Sequence, residues 1–277
     1  MHAHFAQAEN TIQPLDYLVA HVCPDGNLPM LQPCAVTHPQ KARDRILWRR
    51  HDWPPPDGYQ IEDTFIEADG QPALIWTYPP FGPVDPANGD GGELYKIDHS
   101  GMVTITATQD GGKPYLQHFV GESCGGTGWI AFSASAARGR WTEKVARLAD
   151  GSDPGACDYL NEAYTRWKLE DVPIPFIIRG QKRLVTVSTI LSEHYDGPSI
   201  ARSRHVERSF FGRGYGRLVW EVWGTTPPTV PDLAERCPLT PFSLPPARGW
   251  QLEDCRYATN LVAAEGRLTG ARLGWPR

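Results

Sequence analysis

Several absences bound what this chain of 277 residues can be. No apolar run approaches the ~18 residues that a membrane-spanning helix needs. No CxxC pair occurs, which removes the commonest zinc and redox spacings. Lysine is scarce, and there are three methionines. A basic excess is missing too: 27 Lys and Arg stand against 32 Asp and Glu, a net charge of -5. That balance argues against a nucleic-acid binder. Neither an internal repeat nor βαβ alternation is evident, and the lack of alternation argues against Rossmann and TIM-barrel architectures. The stretch from Met1 to Pro14 has no apolar h-region and reads as the start of a mature secreted chain.

What the chain has in quantity is glycine (27), proline (26), tryptophan (10) and tyrosine (10). With short apolar runs between turn signals, this composition predicts an all-β fold, read as one β-sandwich of jelly-roll type with Pro-rich loops and one or two short helices. Residues 1–56 read as a Pro-rich, disulfide-stapled arm, and residues 57–277 as a single compact sandwich domain. Strands are expected at Tyr59–Glu67, Pro72–Tyr78, Glu93–Asp98, Met102–Thr108, Tyr115–Val120, Trp129–Phe132 and Lys182–Glu193. Helical spacing of Trp141, Val145 and Leu148 predicts a helix within Ser133–Asp150, and a second is expected over Tyr159–Leu169.

Six cysteines, Cys23, Cys34, Cys124, Cys157, Cys237 and Cys255, form an even set. Three disulfides in an oxidising compartment, outside the cell or in the periplasm, are the expectation, and free buried thiols the alternative. Proximity favours Cys23–Cys34, Cys124–Cys157 and Cys237–Cys255.

The densest chemistry lies in Ile200–Trp223, which reads as a long β-hairpin turning at Gly212, Gly214 and Gly216. A loop from Gly212 to Gly216 would pair Phe211 with Arg217 and set Glu207 against Glu221 and His205 against Trp223. A loop one residue shorter would set Glu207 against Trp220, since a one-residue slip reverses every face.

Three functions are consistent with this stretch. The first is a polysaccharide lyase on an acidic, uronate-containing chain. Arg204 or Arg208 would neutralise the uronate carboxylate, and His118, His205 or Tyr195 would move the α-proton. Gln117, Tyr115, Arg202 and Trp223 would then line the saccharide groove. Gln117-His118-Phe119 resembles, in broken form, a Q-x-H triplet of jelly-roll alginate lyases, and no family follows from it. The second is a glycoside hydrolase using Glu207 and Glu221, with Glu62 or Asp63 as further carboxylates. The third is a non-catalytic carbohydrate-binding or envelope protein, with the hairpin as an ionic surface.

Two other motifs carry less. Gly121-Glu122-Ser123-Cys124-Gly125 matches G-x-S-x-G, but a strand is expected after it where a nucleophile elbow needs a helix. Asp85, Asn88, Asp90 and Glu93 offer hard oxygen ligands, so a structural calcium is a candidate and no other cofactor is required. The partner expected is a poly- or oligosaccharide, with no nucleic acid and no membrane span.

Overall fold

The computed structural model describes residues 11–18, 45–50, 59–68, 71–78, 91–109, 117–152, 155–157, 159–178, 180–227, 245–262 and 268–273. Fourteen strands lie among them. They are β1 (Arg45–Arg50), β2 (Tyr59–Ala68), β3 (Gln71–Tyr78), β4 (Gly91–Ile97), β5 (Met102–Gln109), β6 (Gln117–His118) and β7 (Trp129–Ser133). There follow β8 (Thr142–Asp150), β9 (Tyr159–Ile178), β10 (Gln181–Tyr195), β11 (His205–Gly212), β12 (Gly216–Gly224), β13 (Gln251–Val262) and β14 (Leu268–Leu273). The α-helix described is one turn, α1 (Leu15–Leu18). The fold is therefore all-β, and its strand pairings are antiparallel.

Strand order explains where the core sits. The sheet runs β12-β11-β10-β9-β14-β13-β1-β2-β3-β4-β5-β6, and an additional pairing joins β12 to β13. That pairing closes β12, β11, β10, β9, β14 and β13 into a six-strand circuit. Strand β7 lies outside the circuit, pairs with β5, and packs on the outer face of β9 and β10, reaching β11 through one ring contact. There Phe132 meets Phe211 at 5.0 Å and Trp129 meets His194 at 5.5 Å between ring centroids. The Ser192 hydroxyl donates to the Ala131 carbonyl across the same contact. The opposite face of β10 and β11 therefore points into the circuit, where Val187, Leu191, Val206 and Phe210 are buried.

Two expected helices are strands. In β9, Ala163, Thr165, Trp167 and Leu169 are buried while the residues between them are not, which is period two. After Asp171 the burial moves to Val172, Ile174 and Phe176, on the other face. The first half of β9 covers the outer layer and the second half lines the circuit. In β8 the apparent helical set splits: Leu148 is buried, and Val145 is 47% exposed. A helix would have placed both on one side; burying Ala146 and Leu148 against β9 and the layer behind it favours the extended form.

Two features tie in the N-terminal stretch read as an arm. β1 pairs with both β13 and β2, and Tyr17 and Leu18 of α1 are buried in the core. Cys124 and Cys157 form a disulfide. Cys255 is also disulfide-bonded. Cys23, Cys34 and Cys237 lie outside the described residues.

Candidate functional site

The hairpin forms, and its register contains a device that alternation alone does not reveal. Phe211 pairs with Arg217 and Gly212 with Gly216, as a Gly212–Gly216 loop requires. Phe210, however, pairs with Val219, so Leu218 is an extra residue on β12 and the ladder shifts by one. Beyond this bulge Arg208 stands opposite Glu221, and Glu207 opposite Val222. An expected juxtaposition of two carboxylates becomes an ion pair on the inner face.

That pair belongs to a row of four alternating charges crossing four strands. Arg166 on β9 is opposite Glu193 on β10, which is opposite Arg208 on β11, which is opposite Glu221 on β12. Arg166 Nε lies 2.6 Å from Glu193 Oε2, and Tyr195 OH donates to the same oxygen at 2.7 Å. Arg208 approaches Glu193 Oε1 through Nε at 3.1 Å and Nη2 at 3.0 Å. On its other side Arg208 Nη1 is 3.4 Å from Glu221 Oε2, which accepts Trp223 Nε1–H at 2.8 Å. Glu193, Arg208 and Glu221 are 1%, 4% and 2% exposed. Arg166 sits at the end of the row, stacked 4.2 Å over Trp141 and donating to the Pro246 carbonyl.

Both Glu193 oxygens are saturated by donors, and the Arg208 charge is answered by carboxylates on two sides. The row is an internal ionic tie in which removing one member leaves another buried charge unpaired. Burial pushes the Glu221 carboxyl up to about 7, against the opposing pull of Arg208 and of the Trp223 hydrogen bond. Burial and the Glu193 charge raise the Tyr195 hydroxyl well above its ordinary value.

The other sequence candidates are scattered. Glu207 lies on the outer face and accepts from Trp220 Nε1 at 3.0 Å, so it does not meet Glu221 as a hydrolytic pair. Tyr195 and Trp223 are buried, and each donates to a carboxylate of the row, so neither offers a groove surface. Arg202, Arg204 and His205 are exposed, and His205 Nδ1 contacts Glu253 Oε2 at 3.1 Å. Gln117 and His118 make up β6 at the far side of β5, paired with Thr108 and Ala107. Glu93 is held by Arg217 Nη1 at 3.1 Å and by the Tyr95 hydroxyl. Tyr115, Asp85, Asn88 and Asp90 lie outside the described residues.

The G-x-S-x-G match is a 3₁₀ turn, Glu122–Cys124, leading into β7, with Cys124 in the disulfide. This is not the strand–turn–helix of an elbow. His194 pairs with Ser192 at 3.0 Å between the layers, where burial lowers its pKa to about 4. It is a neutral core histidine.

A second site was not read from the sequence. A cleft of about 870 Å³ lies between the N-terminal segment, the β7–β8 connection and the β11–β12 turn. Its charged lining is Arg138, Arg140, Arg213 and Asp16, three cations against one anion, on a chain whose net charge is -5. Gly139, with φ of +67°, makes the turn between Arg138 and Arg140, and its N–H donates to the Leu169 carbonyl. Arg138 pairs with Asp171, and both side chains are more than half exposed. The opposite wall is pinned by Ile12 N–H on the Ala134 carbonyl, and by Tyr17 OH with Ser188 Oγ at 3.0 Å. Gln13, Ser135 and Ser188 add neutral hydrogen-bonding groups. A volume of this order suits a small ligand or a few sugar rings.

Glu193 and Arg166 also escaped the sequence reading. The available signal was a carboxylate close to the C-terminal end of a strand rich in β-formers, LVTVSTILSEHY, which needs a cation to be buried. The cleft left no such signal, because its arginines come from separate segments. No protein-family model, curated protein or solved structure matches this chain.

Proposed function

We propose that this protein is a secreted or periplasmic, disulfide-bonded β-protein that binds an acidic, uronate-containing oligosaccharide without cleaving it. The observation that carries this reading is the arginine-lined cleft formed by Arg138, Arg140 and Arg213. Guanidinium groups match carboxylates bidentately, and Gln13 and Ser135 supply neutral partners for sugar hydroxyls. A jelly-roll-type sandwich, an architecture used by lectin domains, is the form in which we place this function. The engagement of Arg208 and Tyr195 inside the protein favours binding over β-elimination.

The test is isothermal titration with trigalacturonate and with neutral trigalactose, followed in parallel at 235 nm. Binding of the acidic trimer alone, weakening with salt and falling tenfold or more in the Arg138→Ala/Arg140→Ala/Arg213→Ala variant, is the expected result. Equal binding of both trimers, or none by a folded sample, overturns the reading. A rise at 235 nm would replace binding with lyase chemistry.

A further inference from the structure

Resting on the binding reading, we propose that Asp16 occupies a carboxylate subsite of the cleft: the guanidinium of Arg213 is the group that takes a ligand carboxylate, and Asp16 must yield it. Asp16 Oδ2 receives both Nε and Nη2 of Arg213, at 3.1 and 3.0 Å. Two adjacent guanidinium N–H groups thus converge on one carboxylate oxygen, and the same two groups could take the two oxygens of a uronate. The pair sits at the solvent edge, with Arg213 64% and Asp16 24% exposed. Opening it leaves no buried charge behind, in contrast to the inner row.

The chain around the pair is held independently of it. Gly214 N–H donates to the Asp16 main-chain carbonyl, and the Tyr17 hydroxyl pairs with Ser188. Leu18 is fully buried next in sequence. The Asp16 carboxylate can therefore release Arg213 while its backbone stays in place. Asp16 is also the one anion among the residues lining the cleft, so its charge opposes an anionic ligand wherever the side chain turns.

A positioning role for Asp16 predicts the opposite outcome, since its loss would leave Arg213 loose and weaken binding. Asp16→Asn separates the two. It preserves the backbone contacts and most of the shape while removing the charge that holds Arg213. An exposed ion pair contributes about 0.2–1 kcal/mol, which converts to a gain in trigalacturonate affinity of about 1.4- to 5-fold. The gain is to be measured by calorimetry in the wild-type and Arg213→Ala backgrounds. Competition for Arg213 predicts that the gain vanishes when Arg213 is absent, whereas simple removal of negative charge predicts that it persists.

Tighter binding by Asp16→Asn, lost with Arg213→Ala, is the expected result. Unchanged or weaker binding by Asp16→Asn, with the wild type still binding, overturns the subsite alone. Persistence of the gain without Arg213 overturns it as well. Failure of both the wild type and Asp16→Asn to bind overturns the function on which the subsite rests. Circular dichroism of each variant confirms that the fold is intact.

Discussion

Glu221→Gln isolates the proton that the inner row takes up. Glu221 is 2% exposed, and its carboxyl rises from 4.5 to about 7 because burial outweighs the attraction of Arg208. In the unfolded chain the same group titrates at its ordinary value. Between those two pH values the folded protein holds a proton that the unfolded chain has released. Stability from this group is then fully present below the unfolded pKa and is lost as pH rises through the folded one. At 1.36 kcal/mol per pH unit the whole window corresponds to about 3 kcal/mol, most of which falls between pH 5 and pH 8.

His194 titrates in the other sense. Its pKa is lowered to about 4, so stability from it falls on acidification below the ordinary histidine value. The wild-type curve therefore mixes the two, and the difference between wild type and Glu221→Gln separates them. Urea denaturation followed by tryptophan fluorescence at several pH values is the assay. The wild type should lose about 2–3 kcal/mol relative to Glu221→Gln from pH 5 to pH 8, or about 1 M urea at an m of 2–3 kcal/mol/M. Parallel curves would refute the argument that burial governs this carboxyl.

The remaining predictions concern the same framework. Arg208→Ala leaves Glu221 without a cation and Glu193 with Arg166 alone, and should cost about 3–5 kcal/mol, read as an early thermal transition; a loss under 1 kcal/mol would show that the row is not a tie. Cys124→Ser with Cys157→Ser opens a loop of 33 residues, for which chain entropy gives about 3–4 kcal/mol. Denaturant midpoints with and without reductant should agree with that direction, and equal midpoints would show that the bond contributes nothing to stability.

The all-β class, the hairpin in Ile200–Trp223 and the turn at Gly212–Gly216 were legible from the sequence. Each depends on residues adjacent in the chain, namely β-formers in alternation and glycines between them. The pairing of Cys124 with Cys157 was legible as a preference because the two lie close in sequence. Local spacing misled at Trp141, Val145 and Leu148, where burial against β9 decided for a strand. The inner row was half legible. Arg208 and Glu221 stood out by composition, while their partnership awaited the bulge at Leu218, and Glu193 and Arg166 arrive on other strands. The cleft was not legible, because Asp16, Arg138, Arg140 and Arg213 are gathered from three regions. Alternation and turn chemistry are properties of neighbouring residues and can be read along the chain. Bulge placement, closure of β12 on β13 and the company of a buried charge are chosen by packing between distant segments, and only the folded protein decides them.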